Sequence, residues 1–219
     1  MPDIAVITPT YNRAALLPDA LDSVIAQTID ASIEVAVVDD GSTAAPVDVM
    51  RPYLERYGDP AGRIHVTFSQ QEKRGVVAAR NLAIAQTTAP LIAILDSDDC
   101  WAPKKLAMQV EAMNADDRVG VVHTSFRYVD ERGAFTDDGP QRVNNPCVGD
   151  CLDVLMNEFL VVFSSVLIRR DVVYRAAAAE PHGQPFDERW VNSQDYDLIL
   201  RAAMFCQFAY IPEPLTLYR

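Results

Sequence analysis

Along the first hundred residues, short runs that are apolar throughout alternate with longer stretches whose apolar positions recur at helical spacing. The first run, Ile4–Ile7, ends at Thr8-Pro9 and predicts a buried strand. Residues 14–28 then place Leu17, Leu21, Val24 and Ile25 on one helical face. The strand signal returns over 33–38, rich in β-branched residues, and stops at the turn residues Asp39-Asp40-Gly41-Ser42. A helix is expected over 47–57, irregular at Pro52, and a third strand over 64–68. An Ala-rich helix over 75–86 and a fourth strand over 91–95 complete the series, and Asp96-Ser97-Asp98-Asp99 ends it. Strand and helix in this order predict βαβ units around a mostly parallel sheet. Strands with no polar alternation predict helices on both faces of that sheet.

Beyond residue 100 the rhythm loosens. A helix is expected over 103–114 with Pro103 in its first turn, and a strand over 119–128. Residues 129–150, rich in Asp, Gly, Pro and Asn, read as a long excursion. Residues 159–168 are apolar again, and 195–205 are helical. A length of 219 residues suits one domain.

Composition narrows the function classes. With 49% hydrophobic and 23% charged residues, the chain is expected to fold without disordered tracts. No segment has 18 consecutive apolar residues, so no integral membrane helix is expected. Met1-Pro2-Asp3-Ile4 lacks a basic secretory leader, so reduced thiols are expected at Cys100, Cys147, Cys151 and Cys206. The C-x3-C spacing of Cys147 and Cys151 has no second pair and is a poor zinc pattern. A net charge of -12 argues against nucleic acid as a partner, and no polybasic membrane patch is present. A cytoplasmic location is expected, with contact at the inner membrane face as the alternative.

In parallel sheets, ligands bind beyond the carboxyl ends of the strands. Those ends carry Thr8-Pro9-Thr10-Tyr11-Asn12, Asp39-Asp40-Gly41-Ser42 and Asp96-Ser97-Asp98-Asp99. Three carboxylates within four residues repel one another and call for a cation. Asp96 and Asp98 point to the same side in extended chain, and oxygen donors suit Mn²⁺ or Mg²⁺. The competing reading is a solvated acidic turn before the next helix. Asp39 is either a turn former or an acceptor for a base or ribose. Asn12 either caps a helix or joins the site, and Tyr11 offers a stacking surface. Arg80, on an Ala-rich turn, suits a phosphate or base carbonyl, or else a surface ion pair. Asp195 is either a helix cap or a carboxylate facing a sugar.

Taken in order, six segments resemble the family-2 glycosyltransferases of the GT-A fold over nearly the whole chain. They are Thr8-Pro9-Thr10-Tyr11-Asn12-Arg13, Val38-Asp39-Asp40-Gly41-Ser42-Thr43, Gly75-x-x-Ala78-Ala79-Arg80-Asn81, Leu95-Asp96-Ser97-Asp98-Asp99, Gln194-Asp195-Tyr196-Asp197-Leu198 and Leu217-Tyr218-Arg219. The resemblance implies an α/β domain with a Rossmann-like sheet and a smaller acceptor-side subregion. Residues 1–100 would form its nucleotide-sugar half and 101–219 its acceptor half. It implies a nucleotide-diphosphate donor, a UDP-sugar above all, held by Thr8, Pro9, Tyr11, Asn12, Asp39, Arg80 and Asp96. Within that set Asp39 would accept from the base, Tyr11 flank it, and Asp96 lie nearer the ribose. Mn²⁺ or Mg²⁺ would be held by Asp98 with Asp96, and Asp99 competes as the direct ligand.

Asp195 matches the family's general base for an inverting displacement by a hydroxyl acceptor, which would be a saccharide, a lipid-linked sugar or another alcohol. The implied setting is polysaccharide or glycoconjugate synthesis. Gln194 departs from the Glu that often precedes that base. Family catalytic domains often continue past the Leu-Tyr-Arg motif, so the chain is expected to be a module of a longer protein. The alternative function is a nucleotide-sugar-binding module without turnover. A sugar-nucleotide pyrophosphorylase is disfavoured because Pro9-Thr10-Tyr11-Asn12 replaces a Gly-rich loop. A dehydrogenase is disfavoured because no Gly-x-Gly-x-x-Gly follows the first strand.

Overall fold

The computed structural model describes residues 1–44, 46–136, 146–158, 161–190 and 192–219. Strands β1 (Ile4–Thr10), β2 (Ile33–Asp39), β3 (Ile64–Gln70) and β4 (Leu91–Ile94) pair in parallel in the order β3-β2-β1-β4. Each crossover is helical: α1 (Leu17–Ile25), α2 (Val47–Tyr57) and α3 (Val76–Ala85). Past β4 the sheet continues through β7 (Leu167–Arg169), β6 (Val119–Tyr128), β8 (Gln207–Tyr218) and the two-residue β5 (Cys100–Trp101). β7 and β5 run antiparallel to their neighbours, whereas β6 and β8 are parallel to one another.

The apolar strands bury both faces, and alternate residues serve opposite layers. Ile4, Val6, Val35 and Val37 pack with Leu17, Leu21, Met50, Leu106 and Met113 from α1, α2 and α4 (Lys105–Asn114). Ala5, Ile7, Ala36 and Val38 pack with residues of α3, α6 (Arg170–Ala178) and α7 (Gln194–Ala202) on the other face. A short helix α5 (Leu152–Asn157) joins this second layer through Leu155.

Several elements differ from the sequence expectation. The helix expected over 14–28 covers only 17–25, with Pro18 in its first turn. The residues after it turn inward. The Gln27 amide donates to the Ser23 and Ala102 carbonyls, and its oxygen accepts from the Leu106 amide. Helix α6 has buried Val172, Val173, Ala176 and Ala177 at helical spacing, a signal interrupted in sequence by Arg170, Asp171 and Arg175. Strand β8 carries Pro212 and Pro214, which cannot donate to a ladder. The β6–β8 register shifts between Thr124 and Phe126, opposite this Pro-containing stretch, so the strand survives. Phe159 and Leu160 of the expected apolar run, and residues 137–145 of the expected excursion, lie outside the described residues. Just before the latter, Val129 bridges Phe135 around Gly133.

Two of these elements position the site. α7 is anchored by the buried Arg201, which donates to the carbonyls of Ala176 (2.7 Å) and Pro185 (2.8 Å) and pairs with Asp197 at 2.6 Å. β8 brings Arg219 to the end of β4, where its backbone N–H donates to Asp99 and its guanidinium to the Asp98 carbonyl. No described helix is long and apolar enough to cross a membrane.

Candidate active site

Because β2, β1 and β4 are neighbours, the three polar clusters at their carboxyl ends come together. Backbone bonds lace the first two: the Asp40 amide donates to the Thr10 carbonyl (2.9 Å) and the Asn12 amide to Ser42 Oγ (2.8 Å). Asn12 Oδ1 in turn accepts from the Thr43 amide at 2.9 Å. Asn12 sits at φ +52°, a left-handed conformation that Asn tolerates. Since α1 begins at Leu17, Asn12 does not cap it.

A cavity of about 450 Å³ opens at these strand ends. Of the residues expected to hold donor or metal, Pro9, Tyr11, Arg80, Asp96 and Asp98 line it. Thr8, Asn12, Asp39, Asp99 and Asp195 stand outside that lining. Four charged or amide side chains that the sequence left without a role also line it: Arg13, Asp40, Lys73 and Gln194. The signal for Lys73 lay in the strand-end rule applied to β3, whose polar loop Gln71–Arg74 reaches the same end of the sheet.

The carboxylates differ in environment. Asp96 Oδ1 pairs with Arg80 Nη2 at 2.6 Å, and Arg80 is only 4% exposed. The arginine of this pair is buried and Asp96 is partly exposed, unlike the surface pair weighed from sequence. Arg80 Nε and Nη1 are buried without a partner among the described residues, and the guanidinium lies 4.8 Å from the Phe163 ring centre. Asp98, 31% exposed, meets Arg13 Nε at 3.5 Å. Asp99 is buried, and burial pushes its carboxyl up to about 7, against bonds from Ser164 and the Arg219 amide. Repulsion from Asp96 and Asp98 adds to that rise. Arg80 and Arg13 therefore supply part of the positive charge that the three carboxylates call for.

Asp39 and Asp40 divide in the same way. Asp39 is fully buried and accepts from Ser42 Oγ, the Ser42 amide (3.2 Å) and Gln70 Nε2 (2.9 Å). Asp40 borders the cavity and holds the loop before α3. It accepts from Gln71 Nε2 (2.7 Å), the Arg74 amide (2.8 Å) and the Gly75 amide (2.9 Å).

Asp195 lies in the first turn of α7, after Ser193 in the left-handed region at φ +62°. Its Oδ1 accepts from the Tyr196 amide at 2.8 Å. Gln194, beside it, lines the cavity with its Oε1 buried and unpartnered among the described residues.

Comparisons with known proteins give the family and the fold. The sequence model described as Glycosyl transferase family 2 matches residues 5–174. The succinoglycan biosynthesis protein ExoU of Rhizobium meliloti is 31% identical over 206 residues, covering 91% of this chain and 56% of that protein. The crystal structure of S. aureus TarS in complex with UDP-GlcNAc superposes with a TM-score of 0.75 at 18% identity, covering 98% of this chain and 58% of that one. The mannosyltransferase PcManGT of Pyrobaculum calidifontis, in complex with GDP-Man and Mn²⁺, gives 0.70 at 23% identity, covering 99% and 58%. The two superpositions show a shared GT-A-type fold. The chain spans a little over half the length of each of these relatives.

Proposed function

The chain belongs to glycosyl transferase family 2, and on that premise we propose that its cavity binds a UDP-sugar with a divalent cation and transfers the sugar to a hydroxyl acceptor. One observation carries the reading: an aromatic ring, a buried arginine and two partly exposed carboxylates line one cavity at the strand ends, beside the α7 segment bearing Asp195. The solved relatives bind UDP-GlcNAc in one case and GDP-Man with Mn²⁺ in the other, which supports a nucleotide-sugar donor and a divalent metal.

In this reading Tyr11 flanks the base, and Pro9 with the buried Thr8 and the laced Asn12 shapes the wall behind it. Asp39 acts at one remove, since its oxygens are engaged by Ser42 and Gln70. Arg80 holds Asp96 in place, and its Nε and Nη1 are buried and unpartnered among the described residues.

The donor set fits a hard cation. Among the described residues the Asp98 carboxylate has only the long contact to Arg13, Asp96 keeps Oδ2 outside its Arg80 bond, and both are oxygen ligands. Asp98 and Asp96 would hold Mn²⁺ or Mg²⁺, with buried Asp99 behind them. When bound, the ion supplies charge stabilisation for the departing diphosphate. Asp195 takes the proton of the acceptor hydroxyl as that oxygen bonds to the anomeric carbon, and the sugar–phosphate bond breaks in line, with inversion. The likeness to ExoU, a succinoglycan biosynthesis protein, supports polysaccharide synthesis as the setting and a saccharide as the acceptor.

Calorimetric titration with UDP tests the donor reading. UDP is expected to bind with Mn²⁺ present and to weaken at least about tenfold in EDTA, because Asp96 and Asp98 then face the diphosphate bare. Equal affinity in EDTA rejects the metal-bridged arrangement, and no binding in either buffer rejects UDP as the carrier.

A further inference from the structure

The cation that covers the Tyr11 ring has no role in the arrangement above. Lys73 Nζ lies 3.8 Å from the centre of the Tyr11 ring, and both residues line the cavity. We propose that Lys73 covers the base platform in the free protein and moves to the donor's diphosphate when a nucleotide enters, so that base stacking and phosphate recognition are exchanged on one side chain. The proposal rests on the reading of Tyr11 as the surface that meets the base.

Three observations carry it. First, the backbone of the loop bearing Lys73 is fixed. Asp40 accepts from the amides of Arg74 and Gly75 and from the side chain of Gln71, residues on both sides of Lys73. Gly41, at φ +72°, packs against it so closely that a Cβ there would stand 2.8 Å from the Lys73 amide nitrogen. Second, the Lys73 side chain is exposed on this fixed base, so it can swing while the loop stays. Third, the cavity's other cations are engaged: Arg13 with Asp98 and Arg80 with Asp96. Among the described residues Lys73 makes no ion pair, and its ammonium rests on the Tyr11 ring.

The energetics favour exchange. An exposed cation–π contact is weak, and a base stacking on the same face displaces it. The freed ammonium is a compact, flexible point charge with three donors, suited to phosphate oxygens. A nucleoside alone must uncover the ring and leaves Lys73 with nothing. A nucleoside diphosphate uncovers the ring and supplies the anion. The device therefore separates nucleoside diphosphates from nucleosides.

The test uses Lys73→Ala with two probes, uridine and UDP, titrated in one Mn²⁺-containing buffer by ligand-observed NMR and calorimetry. Uridine is expected to bind about two- to fivefold tighter, since the ring is already bare. UDP is expected to bind about two- to fivefold weaker, since an exposed charge–phosphate contact is gone. Shifts of opposite sign support the exchange. No shift, or shifts in the same direction, overturn it. Tyr11→Leu separates the underlying reading: it is expected to weaken both probes. If it weakens neither, or if the unaltered protein binds neither uridine nor UDP, the base platform itself is rejected.

Discussion

Asp195→Asn is expected to lower sugar transfer by about 10²–10⁴-fold, the scale of a lost general base, while UDP and Mn²⁺ still bind. The structure makes this a clean substitution. Asp195 is outside the cavity lining, so the donor loses no direct contact. Its Oδ1 accepts from the Tyr196 amide, and an Asn side-chain oxygen can accept the same bond. The helix is held from its far side by Arg201 on the Ala176 and Pro185 carbonyls, which the substitution does not touch. The helix-terminus reading gives the opposite result. If Asp195 only satisfies an N-terminal amide, Asn does so nearly as well, and both stability and turnover persist. The measurement is UDP release from a UDP-sugar with acceptor present, alongside UDP titration of the same variant. Retained turnover removes Asp195 from the chemistry. Retained binding with lost turnover supports it as the base, and also distinguishes an enzyme from a module that only binds.

The strand-end clusters were readable because each ended a fully apolar run, and such runs become the buried strands of a covered parallel sheet. β1, β2 and β4 therefore delivered Thr8–Asn12, Asp39–Ser42 and Asp96–Asp99 to one edge, as the alternation predicts. What each side chain does there depends on partners distant in sequence. Asp39 and Asp40 are adjacent, yet one is buried on Ser42 and Gln70 and the other fastens the Gln71–Gly75 loop. Asp99 is buried and accepts from the amide of Arg219, 120 residues away, while Asp98 stays open to the cavity. Periodicity carries no trace of such pairings. β8 was hidden for a different reason: it carries Pro212 and Pro214, which cannot donate to a ladder, and a register shift against β6 accommodates them.

Asp40→Ala is expected to destabilise the fold and to disable the site together. The carboxylate is buried and holds two backbone amides and one side-chain amide of the Gln71–Gly75 loop. Alanine leaves those donors facing a void. Hydrogen bonds to a charged acceptor contribute more than neutral ones, and orphaned donors carry a desolvation cost, so a loss of about 2–4 kcal/mol is expected. For a domain of this size that lowers Tm by about 5–15 °C. The loop also carries Lys73 and leads into α3 at Gly75, whose left-handed φ of +98° aims the helix bearing Arg80. A loosened loop therefore loses the Lys73 placement and relaxes the approach of Arg80 to Asp96, and UDP affinity is expected to fall at least about tenfold at a temperature where the variant is folded. Asp39→Ala serves as the comparison: it also removes buried bonds, but on Ser42 and Gln70 rather than on the loop before α3. Thermal unfolding and UDP titration of both variants check the assignment. A Tm for Asp40→Ala that matches the parent, with undiminished UDP affinity, would show that the loop keeps its shape without that carboxylate.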